Sequence, residues 1–261
     1  MRLLLSTFLA CWVATIPACD QQAGSPPPAT SENQTVPADP APIDPRTVGS
    51  IVGTVRLDGR PQRRLITPPD AYCAAQNPKG LVMDAFVLGA GQTLADVYIQ
   101  VKSGLGNRRF PTPTKPVVLD QIKCVYVPHV VALMTAQPLV ARNGDDTMHN
   151  VHGLPVRSPE FNKGQGVKGM ENTFRFDVPE TGIPVQCDVH PWMSAWVHVS
   201  SHPFFAVTGI DGQYSIRGLP PGDYEIAAWH ERFPKAPRVA KVTVVTGQAA
   251  TVDFTFEVTR K

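Results

Sequence analysis

From Gly49 onward the sequence consists of short segments in which apolar and polar residues alternate, and turn signals separate these segments. A period of two is typical of β-strands that bury one face. The turn signals include LDG at 57–59, ARNGDD at 141–146, IDGQ at 210–213 and LPPGD at 219–223. We therefore predict an all-β protein of sandwich or Greek-key type.

Fourteen segments fit the strand pattern, and KPVVLDQIKCVYV at 115–127 is among them as a single predicted strand. No stretch keeps a helical period. The chain also contains 27 prolines in 261 residues, roughly twice the ordinary usage of about 5%. Proline interrupts helices and favours turns and linkers, so the composition supports the same fold class.

The N-terminal residues have the organisation of an export signal. One arginine precedes an apolar run from Leu3 to about Ala18, which suits a secretory signal and is short for a membrane span. The IPAC sequence at its end resembles the site at which bacterial lipoproteins are cleaved and acylated, although Pro17 is atypical there. We expect residues 1–19 to be a signal peptide with Cys19 lipidated, and ordinary cleavage nearby is the alternative.

The next segment, residues 20–48, is rich in Pro, Ala, Ser and Thr and nearly free of large apolar side chains. Such a segment cannot bury enough apolar surface to fold, so we predict an extended tether that links a membrane anchor to a periplasmic domain. The formal charge of +2 comes without a basic cluster interleaved with aromatic residues. This charge pattern argues against nucleic acid as a partner.

Three cysteines remain after the signal: Cys73, Cys124 and Cys187. Export permits disulfides, and one bridge among three cysteines leaves one thiol free. A bridge between Cys73 and Cys124 would leave Cys187 free, three residues before His190. The sequence alone does not fix the connectivity, and we take this pairing as the working hypothesis.

Two motifs carry residues with metal-binding chemistry. DDTMHNVHG contains His149, and CDVHPWM contains Cys187, His190 and Met193 at three-residue intervals. A type 1 copper site uses two imidazole nitrogens and one thiolate, with a weak axial thioether. One loop must supply the thiolate and one imidazole, and a distant strand supplies the other imidazole. These motifs provide that division in that order. Zinc competes, but it prefers a fourth strong donor, and methionine is a poor one.

The region from about residue 81 to residue 200 resembles the cupredoxins, and among these small blue copper proteins it is most similar to amicyanin. Amicyanin carries Pro-His-Asn-Val-His followed by Cys-x-x-His-Pro-Phe-Met, and this chain has MHNVH at 148–152 and CDVHPWM at 187–193. The resemblance implies His149, Cys187 and His190 as equatorial copper ligands and Met193 as the axial ligand. It departs at Met148, which replaces proline, and at residues 153–170, which are longer than a compact cupredoxin needs.

The resemblance also implies roles for neighbouring residues. Asn150 would tie the two ligand loops together by hydrogen bonds. His190 would be the ligand nearest the surface and the electron port, with Pro191 and Trp192 as an apolar docking patch beside it. His152, His198, His202 and His230 are expected to be structural. His129 is also expected to be structural, with an accessory metal or docking role as the alternative.

The last part of the chain, residues 201–261, resembles the carboxypeptidase regulatory-like module, a small transthyretin-like sandwich. It has the DG turn, the inward alternation of Tyr214 and Ile216, and the LPPGDYEI hairpin. Such modules begin with a strand like GTVRLDGRP, which this chain has at 53–61, within a leading segment at 49–80. Either the copper domain is inserted into this sandwich or the early strand belongs to the copper domain.

These features predict an exported, membrane-tethered type 1 copper protein that carries single electrons and is not an enzyme. The expected partners are periplasmic redox proteins, by analogy a c-type cytochrome or a dehydrogenase. Two alternatives remain open: a copper-binding or delivery protein with the same ligands, and a double β-sandwich that binds no metal and serves a structural or interaction role.

Overall fold

The computed structural model describes residues 43–62, 64–82 and 86–258. The predicted signal at 1–19 with Cys19, and the tether up to residue 42, lie outside the described residues. The all-β prediction is confirmed, because the described residues form nineteen strands with one short α-helix and one 3₁₀ turn at Ala90–Gln92.

The strands are β1 (Gly49–Asp58), β2 (Leu65–Ile66), β3 (Leu81–Val82), β4 (Tyr98–Ser103), β5 (Val117–Ile122), β6 (Val125–Val127), β7 (Val130–Met134), β8 (Leu139–Asn143), β9 (His149–Gly153), β10 (Phe161–Gln165), β11 (Glu171–Phe174), β12 (Glu180–Gln186), β13 (Ser194–Ser200), β14 (Phe205–Val207), β15 (Gln213–Leu219), β16 (Gly222–Trp229), β17 (Arg238–Val244), β18 (Ala249–Thr251) and β19 (Phe254–Glu257). The helix, α1, spans Ala71–Gln76.

The first sandwich combines strands from both ends of the described chain. One sheet has the order β15-β1-β18, with β19 also paired to β1, and the other has the order β14-β4-β16-β17. The alternation in these strands places one face of each in a shared core. Tyr214 and Ile216 point into that core, together with Ile51, Ile99 and Phe256.

The second sandwich consists of β5 to β13. Its sheets have the orders β10-β9-β12-β13-β7 and β11-β8-β5-β6, and they enclose a separate core. Along the chain this sandwich begins after β4 and ends before β14, and both of those strands belong to the first sandwich. The second sandwich is therefore an insertion in the first.

This arrangement differs from the sequence-based division, which assigned the range 81–200 to the copper domain. Strand β4 lies in that range but pairs with β14 and β16 of the first sandwich. Strand β1, from the leading segment, pairs with β15, β18 and β19. An alternating pattern predicts a strand without naming its neighbour, so only the tertiary pairing assigns β1 and β4 to their sheets.

Two local predictions also differ from the structure. The segment 115–127, predicted as one strand, is the hairpin β5–β6, in which Lys123 and Cys124 both adopt positive φ values of 55° and 59°. Two consecutive positive φ values are typical of a tight hairpin turn that usually contains glycine or asparagine. The sequence has neither residue there, so it does not signal the turn.

Helix α1 was not predicted, because six residues are too few to show a helical period. It begins after Asp70, whose side chain accepts a hydrogen bond from the backbone N–H of Cys73 at 2.8 Å, as N-capping residues do. No helix in the described ranges has the length and apolar character needed to cross a membrane.

Aromatic side chains join the two sandwiches. His198 of β13 stacks on Tyr98 of β4 with ring centroids 4.1 Å apart, and Trp229 of β16 lies edge-on to His198 at 4.6 Å. Trp229 also contacts Trp196 at 5.3 Å. His198 is completely buried, and burial lowers the pKa of its imidazole to about 3. The ring is therefore neutral at pH 7, which suits its apolar surroundings.

We expect the substitution His198→Asn to reduce the acid sensitivity of the fold. Between pH 6.5 and about 3 the unfolded chain binds a proton at residue 198 that the folded chain does not. The free energy of unfolding should therefore fall as the pH falls through this window, by up to about 1.4 kcal/mol per pH unit from this group.

Urea unfolding at several pH values, for the parent protein and His198→Asn, measures this contribution as a difference in slope. Asparagine keeps an acceptor for the backbone N–H of Gly182, which His198 Nδ1 accepts at 3.1 Å. Identical slopes in the two proteins would contradict the assignment.

Candidate metal centre

Three of the predicted ligands converge inside the second sandwich. His149 begins β9, while Cys187 and His190 lie in the loop between β12 and β13. The Nδ1 atoms of His149 and His190 are 2.9 Å apart, and Cys187 Sγ lies 3.8 Å from His190 Nδ1. All three side chains are buried, and Cys187 is a free thiol. Cys187 and His190 lie 38 and 41 residues after His149 in the sequence. Folding therefore brings one sulfur and two nitrogens together from distant parts of the chain.

The separation of these donor atoms fits one metal ion. An ion bonded at about 2.0 Å to an imidazole nitrogen and about 2.3 Å to a thiolate holds the two donors about 3.7 Å apart at trigonal angles. The nitrogen–sulfur distance in this protein is 3.8 Å. Two imidazoles and one thiolate match the equatorial set of a type 1 copper site, so the residues present fit copper.

Met193 completes the predicted set by its position in the loop. The backbone N–H of Cys187 donates to the carbonyl of Met193 at 3.2 Å, and the N–H of Met193 donates to the carbonyl of His190 at 2.9 Å. These bonds close the loop, and the side chain of Met193 is buried in the same core cluster as Cys187. A buried thioether in the same loop as Cys187 and His190 is of the kind that serves as a weak axial ligand.

Asp145 supports the site and was not singled out from the sequence. Its Oδ2 accepts a hydrogen bond from His149 Nε2 at 3.0 Å, and the carboxylate is buried. With its proton on Nε2, His149 presents the lone pair of Nδ1 to the centre, as ligand histidines do when the other nitrogen is bound to a carboxylate. The only feature of the sequence that could have identified Asp145 as a partner of His149 is its position four residues before this histidine.

Asn150 connects the two ligand segments. Its Oδ1 accepts from the backbone N–H of Asp188 at 2.7 Å, its Nδ2 donates to Asp188 Oδ2 at 3.0 Å, and its backbone N–H points to Cys187 Sγ at 3.5 Å. Hydrogen bonds, first from His152 and then from Asn162, hold the pKa of Asp188 well below its usual range. Asp188 is therefore a stable anion that anchors the loop beside the thiol.

Tyr126 of β6 ties the same two segments from inside the core. Its hydroxyl lies 2.6 Å from the carbonyl of Asn150 and 3.1 Å from that of Gln186. These residues are the neighbours in sequence of His149 and Cys187. The distance between the two ligand segments is therefore held by a side chain from a third strand.

A disulfide covers the side of the centre on which His190 lies. Cys73 of α1 is bonded to Cys124 of the β5–β6 turn, with sulfurs 2.04 Å apart. Cys73 Sγ lies 3.7 Å from Nε2 of His190, and His190 is only 3% exposed. His190, expected to be the ligand nearest the surface, is therefore buried like the other three predicted ligands, because α1 and its disulfide lie against it.

The predicted docking pair is divided by the fold. Pro191 is exposed, whereas Trp192 is half-buried against the core and donates from Nε1 to the carbonyl of Cys124 at 3.0 Å. The ring of Trp192 lies 4.9 Å from that of His190. Burial lowers the pKa of His190, and the adjacent His149 lowers it further. Both effects favour the neutral imidazole that metal binding requires.

The other histidines lie outside the donor cluster. His152 is held between Asp188 and Glu160 at 2.9 Å from each. His129 Nε2 contacts Glu231 Oε1 at 2.7 Å, an ion pair between the two sandwiches. Residues 153–170 contain β10, which pairs with β9, and the three donors remain together beside this longer segment.

Comparisons with known proteins gave structural neighbours. No protein-family model matches the chain, and no curated protein matches it. A mutant of amicyanin in the Cu(I) form is 22% identical, covers 33% of this chain and 82% of its own, and has a TM-score of 0.29. A purple cupredoxin from Nitrosopumilus maritimus is 19% identical, with 33% and 98% coverage and a TM-score of 0.28.

A copper-containing nitrite reductase from Thermus scotoductus SA-01 is 18% identical to the chain. It covers 40% of this chain and 26% of its own length, with a TM-score of 0.31. The structural neighbours thus include cupredoxins, and each of the three similarities covers well under half of this chain.

We expect Asp145→Asn to weaken copper binding about 10- to 100-fold, the usual cost of losing a carboxylate partner of a ligand histidine. Asparagine cannot accept the His149 Nε2–H as strongly, so the ring loses its orientation. Competition with a copper chelator measures the change in affinity.

Asp146→Asn is the matched control, because Asp146 is the exposed neighbour and has the same charge. Its affinity should equal that of the parent protein. An equal loss in both variants would show that general charge, rather than the hydrogen bond to His149, controls binding.

Proposed function

We propose that this protein is a type 1 copper protein that transfers single electrons. The observation that carries the proposal is that Nδ1 of His149, Nδ1 of His190 and Sγ of Cys187 lie together in a buried cluster. Met193 is buried in the same loop. Copper in such a set supplies a reversible one-electron couple, tuned by its axial ligand and apolar surroundings. The chain's own residues hold the donors and exclude water.

Electron transfer, rather than catalysis, suits this arrangement. His149, Cys187, His190 and Met193 are each 3% exposed or less, so no face of the donor cluster is open to a substrate. The hydrogen bonds of Asp145 and Asn150 fix the donors in advance, which limits rearrangement when the charge of a bound ion changes. We therefore propose that the protein is not an enzyme.

Trp192 is the proposed electron port in place of His190. Its ring contacts the ring of His190 and also lines a cavity of about 330 Å³ together with Val82, Val125 and His129. Because α1 covers the outer nitrogen of His190, the indole connects the His190 ring to this solvent-accessible space. A redox partner would approach the protein at this cavity.

The cellular setting is part of the same proposal. The signal-like sequence at 1–19, the candidate lipid site Cys19 and the Pro-rich tether at 20–48 support a periplasmic lipoprotein whose folded part meets soluble redox partners such as a c-type cytochrome or a dehydrogenase. We propose that the first sandwich is a carboxypeptidase regulatory-like module with a structural role, on the basis of its DG turn and LPPGDYEI hairpin.

Copper delivery is less well supported than electron transfer. Delivery needs a ligand that an acceptor protein can reach, and all four donors are enclosed. Zinc is disfavoured because the fourth position offers a thioether rather than a strong donor.

We expect the purified protein to bind one Cu(II) per chain and to show intense visible absorption from thiolate-to-copper charge transfer. Cys187→Ser should abolish this absorption, because it removes the only thiolate of the donor set. Absorption and electron paramagnetic resonance spectra of both proteins test the expectation. A colourless Cu(II)-loaded parent protein would refute the proposal, and absence of stoichiometric copper would favour the metal-free alternative.

We expect Met193→Leu to raise the reduction potential, because loss of the thioether removes electron donation to the oxidised ion. Met148→Leu is the control, since Met148 precedes His149 but is 51% exposed. Protein voltammetry measures both potentials. Equal potentials for Met193→Leu and the parent protein would remove Met193 from the donor set.

A further inference from the structure

The Cys73–Cys124 disulfide lies close to both predicted ligand histidines. Cys73 Sγ is 3.7 Å from His190 Nε2. Cys124 Sγ lies within 4.8 Å of both Asp145 and His149. The disulfide therefore lies beside both histidines, and at His190 it contacts Nε2 rather than the Nδ1 atom that lies near Cys187.

Each cysteine of the pair also has a carboxylate beside it. Asp70 groups with Cys73 and His190, and Asp145 groups with Cys124 and His149, with ligand atoms in each group no more than 4.8 Å apart. In the disulfide form the two sulfurs bond to one another and are not available as thiolate ligands. Reduction would turn this pair into two thiols next to two carboxylates, all within the folded protein.

We propose that the reduced Cys73–Cys124 pair is a second metal site, specific for a soft ion such as Cu(I), which the disulfide masks. Thiolates are the ligands that select Cu(I), and two of them suffice for a low-coordinate ion. This site has its own donor atoms and goes beyond the proposed electron-transfer function.

The redox step requires an external dithiol, either a small molecule or a thiol–disulfide reductase. The dithiol gives two electrons and two protons and becomes a disulfide, while Cys73 and Cys124 each become a thiol. Binding of Cu(I) then releases the two thiol protons. An external disulfide reverses the step: it takes two electrons from the two thiolates and two protons from water and becomes a dithiol, while Cys73 and Cys124 re-form their bond and Cu(I) leaves.

Contacts other than the disulfide hold the two cysteines in place after reduction. On the helix side, Asn77 Nδ2 donates to the carbonyl of Lys123 at 2.9 Å, and the Tyr72 hydroxyl accepts from the backbone N–H of Asp146 at 3.0 Å. These bonds attach α1 to the β5–β6 turn and to the segment before β9. The helix should therefore stay near the turn when the covalent link is broken.

On the turn side, the carboxylate of Asp145 accepts from the backbone N–H groups of Lys123 and Cys124, each at 2.7 Å. Both residues have positive φ, a conformation that needs such support. The thiol of Cys124 is therefore presented on a braced turn, and the thiol of Cys73 on a capped helix. This is the pre-organisation that metal sites require.

The test is an anaerobic Cu(I) titration of the full chain carrying Cys187→Ser, in competition with a Cu(I)-binding dye. The variant is titrated in the disulfide form and again after treatment with a phosphine reductant that is then removed. We expect the reduced form to bind one Cu(I) more per chain than the disulfide form. Before the titration, a thiol reagent should detect two more thiols in the reduced form than in the disulfide form. After Cu(I) has bound, these two thiols should no longer react.

Two controls separate the site from other thiols. The triple variant Cys73→Ser, Cys124→Ser, Cys187→Ser should gain no Cu(I) on reduction, and alkylation of the reduced Cys187→Ser protein should have the same effect if the triple variant does not fold. Equal Cu(I) uptake by the reduced and disulfide forms would overturn the proposal. Loss of the β-sheet circular dichroism signal on reduction would also overturn it, because the site depends on the folded pair.

The outcome is independent of the proposed function. A parent protein that binds no copper in its disulfide form, but one Cu(I) after reduction, would refute the electron-transfer centre and support the masked site. Binding of one equivalent of copper in both forms would support the electron-transfer centre and refute the masked site.

Discussion

The carboxylate of Asp145 is the contact on which the candidate centre depends. One oxygen accepts from Lys123, and the other accepts from both Cys124 and His149, so a single buried charge joins the turn, the disulfide and a ligand. The donors of Cys124 and His149 would otherwise be buried without a partner, at a cost of about 1–3 kcal/mol per group. The orientation of His149 and the conformation of the β5–β6 turn that carries Cys124 therefore both depend on the Asp145 side chain.

Helix α1 and its disulfide also link the first sandwich to the candidate centre in the second. Helix α1 lies in the connection between β1 and β4, which are both strands of the first sandwich, yet its Cys73 closes the centre of the second. Insertion of the second sandwich after β4 brings that connection against the ligand loop. The connection between two strands of the first sandwich thus contributes Cys73 to the surroundings of the candidate centre, where it contacts His190.

Much of the fold and of the donor set could be predicted because both have local signals. Alternation predicted the strands, and the spacing of Cys187, His190 and Met193 matched a loop that can hold one ion. The burial of His190 could not be predicted, because it depends on a helix more than 100 residues earlier. Asp145 was overlooked for a related reason. An aspartate four residues before a histidine does not predict a hydrogen bond between them, because the bond depends on the folded conformation of the backbone.

By itself, the sequence determined the all-β class and the chemistry of the donors, since side-chain period and residue type are properties of short segments. Only the tertiary structure decided that β4 joins the first sandwich, that 115–127 turns at Lys123, and that a disulfide lies behind His190. These features depend on contacts between residues far apart in sequence. A strand's pattern specifies which face is buried, whereas the partner that buries it is set by the packing of the whole chain.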